Sequence, residues 1–237
     1  MSSWIYALLF SAPFIGGVIA FRSGYKNEIL LGSFLAFAGG YIFSITILNL
    51  LPEVFSVSNS ATALYVLAGF FFQLLIGKFS EGAEHGHLHT HSHDHNLALP
   101  LGLFLSLSLH SFTEGIPLGI LTNISKPMSF GIAFHELPAA FALMSILQTE
   151  HIRKNFVLVL LFVYALMSPA GVFAGTILHE HFPAVFFNLV LGFVSGIFLN
   201  ISTTILFENS ENHRMGLRKL IAVSAGVTIA LISHFVL

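Results

Sequence analysis

The stretch NFVLVLLFVYALMSPAGVFAGT, residues 155–176, runs for 22 residues without a charged side chain. As a helix it would rise about 33 Å, enough to cross the roughly 30 Å hydrocarbon core of a bilayer. Backbone groups in lipid must be hydrogen-bonded within their own segment, so a helix is the expected form. Seven other apolar segments reach or approach this length, and the sequence therefore predicts eight transmembrane helices: 4–21, 29–51, 61–77, 97–121, 129–147, 155–176, 184–207 and 220–236.

The composition of the whole chain points to the same class of protein. Of 237 residues, 55% are hydrophobic and 8% are charged, whereas about 25% are charged in a typical soluble domain. A soluble protein could not hide so much apolar surface, but a membrane protein presents it to lipid. The net charge of −2 gives no reason to expect a nucleic-acid partner, and the absence of cysteine excludes disulfides and thiolate ligands. We therefore predict an all-α integral membrane protein with a single transmembrane domain over residues 1–237.

The basic residues predict how the eight helices are oriented. Cytoplasmic segments of membrane proteins are enriched in Lys and Arg. If the N-terminus lies outside, Lys126 is the single basic residue on the outer side. The other eight then lie on the cytoplasmic side: Arg22, Lys26, Lys78, Arg153, Lys154, Arg214, Arg218 and Lys219. Both termini are therefore predicted to be outside.

The longest break between predicted helices, residues 78–96, is polar and contains the run EHGHLHTHSHDH. It has no apolar periodicity, so we predict a flexible His-rich loop, which the charge distribution places in the cytoplasm. A flexible chain can wrap several imidazoles around one metal ion, and the alternative is a solvated spacer of biased composition. Metal capture by this loop would use the alternating histidines His85, His87, His89, His91, His93 and His95.

Two predicted helices carry ionisable residues within apolar sequence, which is costly in a membrane and marks candidate functional residues. In the fourth helix, His110 and Glu114 are four residues apart and share one face. In the fifth, His135 and Glu136 are adjacent and point about 100° apart, although Pro138 permits a local bend. Imidazole and carboxylate groups suit a borderline ion such as Zn²⁺. The alternative is that these side chains only satisfy one another by hydrogen bonding.

Four motifs, taken in order, give the chain a resemblance to the ZIP family of divalent metal ion transporters. HSFTEG at 110–115 resembles the HNxxEG signature of that family's fourth helix, and HELPAA at 135–140 resembles the HExPHE motif of its fifth. The stretch that ends in LNLLPE at 48–53 is similar to the second helix, and MSPAG at 167–171 is similar to the P-x-G pattern of the sixth. The resemblance implies a ZIP-like bundle of eight helices with the His-rich loop between the third and the fourth.

The chain departs from the family pattern at several positions where relatives carry metal ligands. The residues at these positions are Ser111, Ala139, Ala140, Ser168 and Asn49. In relatives with two adjacent metal positions, the second depends largely on such residues, so the resemblance leaves one position here. Its expected ligands are His110, Glu114, His135 and Glu136. Ser111 and Asn49 are expected to assist as accessory groups through water.

The resemblance implies a transporter that moves a divalent ion toward the cytoplasm through the site on helices four and five. The expected ion is Zn²⁺, with Fe²⁺ and Mn²⁺ as alternatives, and the expected partners are this ion and the lipid bilayer. No prosthetic cofactor and no enzymatic activity are expected, the plasma membrane is the default location, and a homodimer is left open.

The sequence allows two alternatives to transport. The first is a degenerate ZIP-like protein that binds or senses metal without carrying it, which the alanines at 139 and 140 keep open. The second is a membrane-embedded metal-dependent hydrolase. HELPA lacks the second His of HExxH, and the sequence has no GxSxG elbow, so the hydrolase is disfavoured.

Overall fold

The structure is a computed structural model that describes residues 3–23, 28–56, 61–80, 98–120, 125–149, 152–207 and 216–236. Nearly all residues in these ranges are helical, and the ranges contain no strand. The helices are α1 (Ser3–Ser23), α2 (Glu28–Ile45), a π-helical turn (Thr46–Leu50), α3 (Leu51–Ser56), α4 (Thr62–Ser80), α5 (Ala98–Ile120), α6 (Ser125–Thr149), α7 (Lys154–Ala165), α8 (Met167–His181), α9 (Ala184–Phe207) and α10 (Leu217–Val236).

Six of the helical segments are long and apolar enough to cross a membrane: Ser3–Arg22, Leu31–Ser56, Lys126–Gln148, Lys154–His181, Val185–Phe207 and Leu217–Val236. The apolar helix Thr62–Lys78 is slightly shorter, and α5 is 23 residues long but contains His110 and Glu114, which lower its hydropathy. The chain is thus a bundle of six to eight apolar helices, as an all-α membrane protein requires. Eight crossings and outward termini remain predictions.

The outer surface of the bundle is apolar where it would face lipid. Along α4 the exposed side chains include Leu64, Leu67, Phe71, Leu74 and Leu75. In water such a patch would mark a binding surface or an aggregation hazard, whereas in a bilayer it faces hydrocarbon at no cost. The predicted loop 78–96 begins inside α4, which continues to Ser80, and loop residues 81–96 lie outside the described part of the chain.

Two predicted membrane helices are irregular in the structure. The second contains the π-helical turn Thr46–Leu50 and then continues through α3 to Ser56. The sixth is broken at Leu166 into α7 and α8. The break lies next to Pro169, which has no N–H to donate and whose ring clashes with the carbonyl of residue 165, where α7 ends. The break therefore follows from the proline in MSPAG.

Four pairs of helices pack most closely: α5 with α8, α1 with α6, α2 with α10, and α4 with α9. In the first pair, a Cβ added to Gly115 would collide with the Ser168 carbonyl oxygen, and one added to Gly171 would collide with the Phe112 carbonyl oxygen. Equivalent glycines in the other three pairs are Gly16, Gly226 and Gly196. Small residues allow such backbone contact within a membrane, where helix association depends on close packing.

We assign the four close pairs, with the helices that adjoin them, to two helix groups of two pairs each. The first helix group contains α1, α5, α6, α7 and α8, and the second helix group contains α2, α3, α4, α9 and α10. The groups meet where α2 packs on α6 and where α4 and α9 pack on α5. All four predicted metal ligands belong to the first group, because they lie on α5 and α6.

Candidate metal centre

Three of the predicted ligands come together between α5 and α6. His110 Nε2 lies 3.1 Å from Glu114 Oε1 and 3.3 Å from His135 Nε2, and His135 Nε2 lies 4.0 Å from Glu114 Oε1. One donor atom from each residue falls within 4.8 Å of the other two. The three side chains are 1%, 0% and 0% exposed, so the cluster is shielded from solvent and lipid.

Helix geometry explains why these three residues meet. His110 and Glu114 stand one turn apart on the same face of α5. That face turns toward α6, which packs on α5 and supplies His135. The two imidazole rings meet edge to face at 83°, with their centroids 5.5 Å apart. The two helices therefore present two nitrogens and one carboxylate to a common point.

Glu136 is equally buried, at 0% exposed, but it has different neighbours. Its Oε1 accepts a hydrogen bond of 3.2 Å from the Ser168 hydroxyl of α8, for whose single proton the Ser111 carbonyl oxygen, at 3.1 Å, is a competing acceptor. The Ser111 hydroxyl lies 3.2 Å from Ser168 Oγ, so a second hydroxyl stands next to the one that contacts Glu136. The structure thus separates Glu136 from the group of three donors, as expected for a residue about 100° around the helix from His135.

The two predicted accessory residues lie in different places. Ser111 belongs to the hydroxyl-lined surroundings of Glu136, one residue from His110. Asn49 lies in the π-helical turn, and its Oδ1 is 3.2 Å from His234 Nδ1 of α10. In this structure Asn49 is therefore paired across the α2–α10 contact. The loop histidines at positions 85 to 95 lie outside the described residues.

Gln73 of α4 also contacts the cluster and was not among the residues predicted from the sequence. Its Oε1 lies 3.3 Å from His110 Nδ1, and the glutamine is 1% exposed. A signal was present, because Gln73 is the single polar residue in the run VLAGFFFQLLIG at 66–77. Such a residue in a membrane helix is expected to contact a polar partner.

The polar atoms of the cluster fit a metal ion. Neither oxygen of Glu114 accepts a well-formed hydrogen bond from the described residues, although His110 Nε2 is near Oε1. His135 Nδ1 likewise has no hydrogen-bond partner within the described ranges. A buried carboxylate without donors is costly, and a cation offsets that cost. Two imidazoles and one carboxylate form a donor set that suits Zn²⁺ and other borderline divalent ions.

Comparison with known proteins gives one match. A family model described as ZIP zinc transporter matches residues 85–234, nearly two thirds of the chain and a range that includes all four predicted ligands. No curated protein sequence matches the chain.

Proposed function

Because the chain belongs to the ZIP zinc transporter family, we propose that it carries Zn²⁺ toward the cytoplasm through the site formed by His110, Glu114 and His135. Family membership supports transport of divalent metal ions as its activity. The choice of zinc, the direction of movement and the residues of the site are our proposal. We also propose that the membrane is the plasma membrane, crossed eight times with both termini outside.

The observation that carries the proposal is the convergence of two buried imidazoles on a buried, unsatisfied carboxylate. Glu114 is 0% exposed, and its oxygens accept no well-formed hydrogen bond from the described residues. A membrane protein gains nothing from such a group unless a cation visits it, because removing the carboxylate from water is costly. The two imidazoles give the site a preference for Zn²⁺ and similar ions over Ca²⁺ and Mg²⁺, which prefer oxygen ligands.

A site with three protein ligands suits an ion that must be released again after it binds. Three protein donors leave at least one of the four usual zinc positions open to water or to another side chain. We propose that Glu136 takes this position at some stage, since it follows His135 directly on α6 and its partner Ser168 contacts Ser111, which follows His110 on α5. A binding site must hold its ion only as tightly as release allows.

A second metal position is not part of the proposal. Family relatives would supply its ligands from positions that are occupied here by Ala139, Ala140 and Ser168. Ala139 and Ala140 are buried and offer no donor, and Ser168 is engaged with Glu136. We therefore propose that one ion at a time occupies the site.

The division into two helix groups supports an alternating-access mechanism. The site lies wholly in the first helix group, and the second group contacts it through α4 and α9. Movement of one group relative to the other would expose the same site first to one side and then to the other. The predicted cytoplasmic loop, with its alternating histidines, would meet the ion as it leaves.

Transport and the metal-sensing alternative are separated by uptake into proteoliposomes loaded with a zinc-sensitive dye. We expect saturable Zn²⁺ uptake by the wild-type chain and loss of that uptake in His110→Ala/Glu114→Ala. The matched control is His179→Ala/Glu180→Ala, which removes a His–Glu pair that is exposed at the end of α8. We expect this control to keep wild-type uptake.

Two results would overturn parts of the proposal. Zinc binding without uptake by the correctly inserted wild type would favour the sensor. Equal uptake by the wild type and the His110→Ala/Glu114→Ala variant would reject the site while leaving transport in place. Repeating the assay with Fe²⁺ and Mn²⁺ tests the choice of zinc, because the preferred substrate should give the lowest KM.

A further inference from the structure

Gln73 is a buried polar side chain beside the metal site, and it is not one of the proposed ligands. It lies in the middle of α4 among apolar residues, and it is 1% exposed. An amide in such surroundings is costly unless it is hydrogen-bonded. Its Oε1 is 3.3 Å from His110 Nδ1, while its own Nε2 has no hydrogen-bond partner among the described residues. The contact with His110 is therefore the interaction that anchors this side chain.

The contact bears on which nitrogen of His110 carries a proton. A neutral imidazole has one N–H, and the nitrogen that holds this proton cannot bind a metal ion. If the proton is on Nδ1, it is donated to Gln73 Oε1, and Nε2 keeps its lone pair. Nε2 is the nitrogen that faces Glu114 and His135. If Nε2 instead carried the proton, it would donate a hydrogen bond to Glu114. Neither Nε2 nor the accepting Glu114 oxygen would then be available to bind the ion.

We propose that Gln73 is a positioning residue for metal binding, and that its carbonyl oxygen holds His110 in the tautomer whose Nε2 binds the ion. The proposal deepens the function proposed above and rests on it. Metal-binding histidines usually donate their second N–H to a carbonyl or carboxylate, which fixes the tautomer and the orientation of the ring. Gln73 is suitably placed for this role, although it is 37 residues away in sequence.

The position of Gln73 in the fold gives the contact a second consequence. Gln73 belongs to the second helix group, because α4 packs tightly on α9, whereas His110 belongs to the first. The hydrogen bond thus joins the moving site to the neighbouring group. When the two helix groups move relative to each other, His110 loses its hydrogen bond to Gln73. The proton of the ring is then no longer held on Nδ1 and away from Nε2, and the ion is bound less tightly. Gln73 thereby links affinity for the ion to the position of the helix groups.

The first measurement is equilibrium binding of Zn²⁺ to the full chain in nanodiscs. We expect Gln73→Leu to weaken binding about 10- to 100-fold, the usual effect of removing a partner behind a ligating histidine. Leucine suits a membrane helix, so the variant should fold. Gln73→Glu restores an acceptor oxygen at the same reach and should bring affinity back to within about threefold of wild type.

The control variant is Gln148→Leu, which makes the same chemical change elsewhere. The Gln148 amide donates to the carbonyl oxygens of Met144 and Ala20 near the end of α6, away from the metal centre. The Gln148→Leu variant should bind Zn²⁺ with the affinity of the wild type. In transport, Gln73→Leu should raise KM for Zn²⁺ in proportion to the loss of affinity while keeping the maximal rate, because the ligands themselves are retained.

The second measurement is ¹⁵N NMR of the His110 side chain, assigned by its disappearance in His110→Asn. In the wild type without metal, we expect the proton on Nδ1; in Gln73→Leu, we expect a shift toward the Nε2-protonated form. A structural role alone would not move this signal. An Nε2-protonated His110 in the wild type would overturn the proposal, because Gln73 would then be donating to Nδ1.

The same binding assay separates this proposal from the proposed function. Glu114→Ala tests the site itself and should abolish Zn²⁺ binding. If Glu114→Ala loses binding and Gln73→Leu does not, the metal site stands and the role of Gln73 is rejected. If neither substitution changes binding, the metal site is rejected, and the role of Gln73 is rejected with it.

Discussion

Glu114 and Glu136 are two carboxylates with the same burial, 0% exposed, and different surroundings. Glu114 stands among imidazoles, with His110 Nε2 at 3.1 Å and His135 Nε2 at 4.0 Å. Glu136 stands among hydroxyls and accepts a hydrogen bond from Ser168. Burial alone therefore does not decide what an intramembrane carboxylate does. Glu114, beside two nitrogens, has the surroundings of a metal ligand, whereas Glu136 has a hydrogen-bond donor for its Oε1, although its Oε2 has none among the described residues.

The difference arises from a single residue step along α6. His135 and Glu136 are neighbours in sequence, so one faces α5 while the other turns toward Ser168 of α8. A second acid at position 168 would place another negative charge beside Glu136, which only a cation could offset. Serine supplies a hydrogen-bond donor instead. Where the resemblance leads one to expect a metal ligand, Ser168 therefore gives Glu136 a hydrogen-bond partner.

The largest expected effect comes from replacing each carboxylate by its amide. Glu114→Gln removes the charge at the centre of the three donors, and Zn²⁺ uptake should fall about 100-fold or more, because a lost charged ligand costs several kcal/mol. Glu136→Gln should reduce uptake only about tenfold, since the three donors remain. The measurement is initial uptake into proteoliposomes with equal amounts of inserted protein. Equal losses would show that Glu136 is a full ligand, as the sequence predicted.

An intermediate effect is expected from pH. Zinc binds the neutral form of imidazole, so protons compete with the ion as pH falls through the usual titration range of histidine. Zn²⁺ affinity should decrease about tenfold or more between pH 7.5 and 5.5. Glu136→Gln should keep this dependence, whereas His135→Asn should flatten it. Titration of Zn²⁺ binding at each pH checks this, and a flat profile in the wild type would contradict the two histidine ligands.

The smallest effect is expected from Ser168→Ala, which removes the hydrogen bond to Glu136 without adding bulk at the α5–α8 contact. We expect zinc uptake to change by about twofold or less, and the protein to lose about 1 kcal/mol of stability, the usual value of one hydrogen bond. Thermal unfolding in detergent and uptake at saturating Zn²⁺ measure the two quantities. Loss of uptake comparable to that of Glu114→Gln would remove the distinction between the two carboxylates.

The sequence predicted those parts of the molecule that depend on local spacing. Apolar runs of about 20 residues identified the helices, and the four-residue spacing of His110 and Glu114 placed them on one face. The direction of Glu136 was not predictable, because it depends on how α6 is rotated against α8. Gln73 was missed for the same reason, since its contact with His110 joins residues 37 apart in sequence. Helix packing, which periodicity does not report, decides both.

The glycine contacts between paired helices have a mechanical consequence. Where one backbone lies against another, as at Gly115 with the Ser168 carbonyl or Gly196 with the Val66 carbonyl, the two helices have little freedom to tilt separately. The predicted membrane helices therefore behave as four two-helix bodies. A membrane helix usually meets a thinner or thicker bilayer by changing its own tilt. In this protein the two helices of each body must tilt together, so a change in bilayer thickness acts on the contacts between bodies, which include the one between α4 and α5 beside the metal centre.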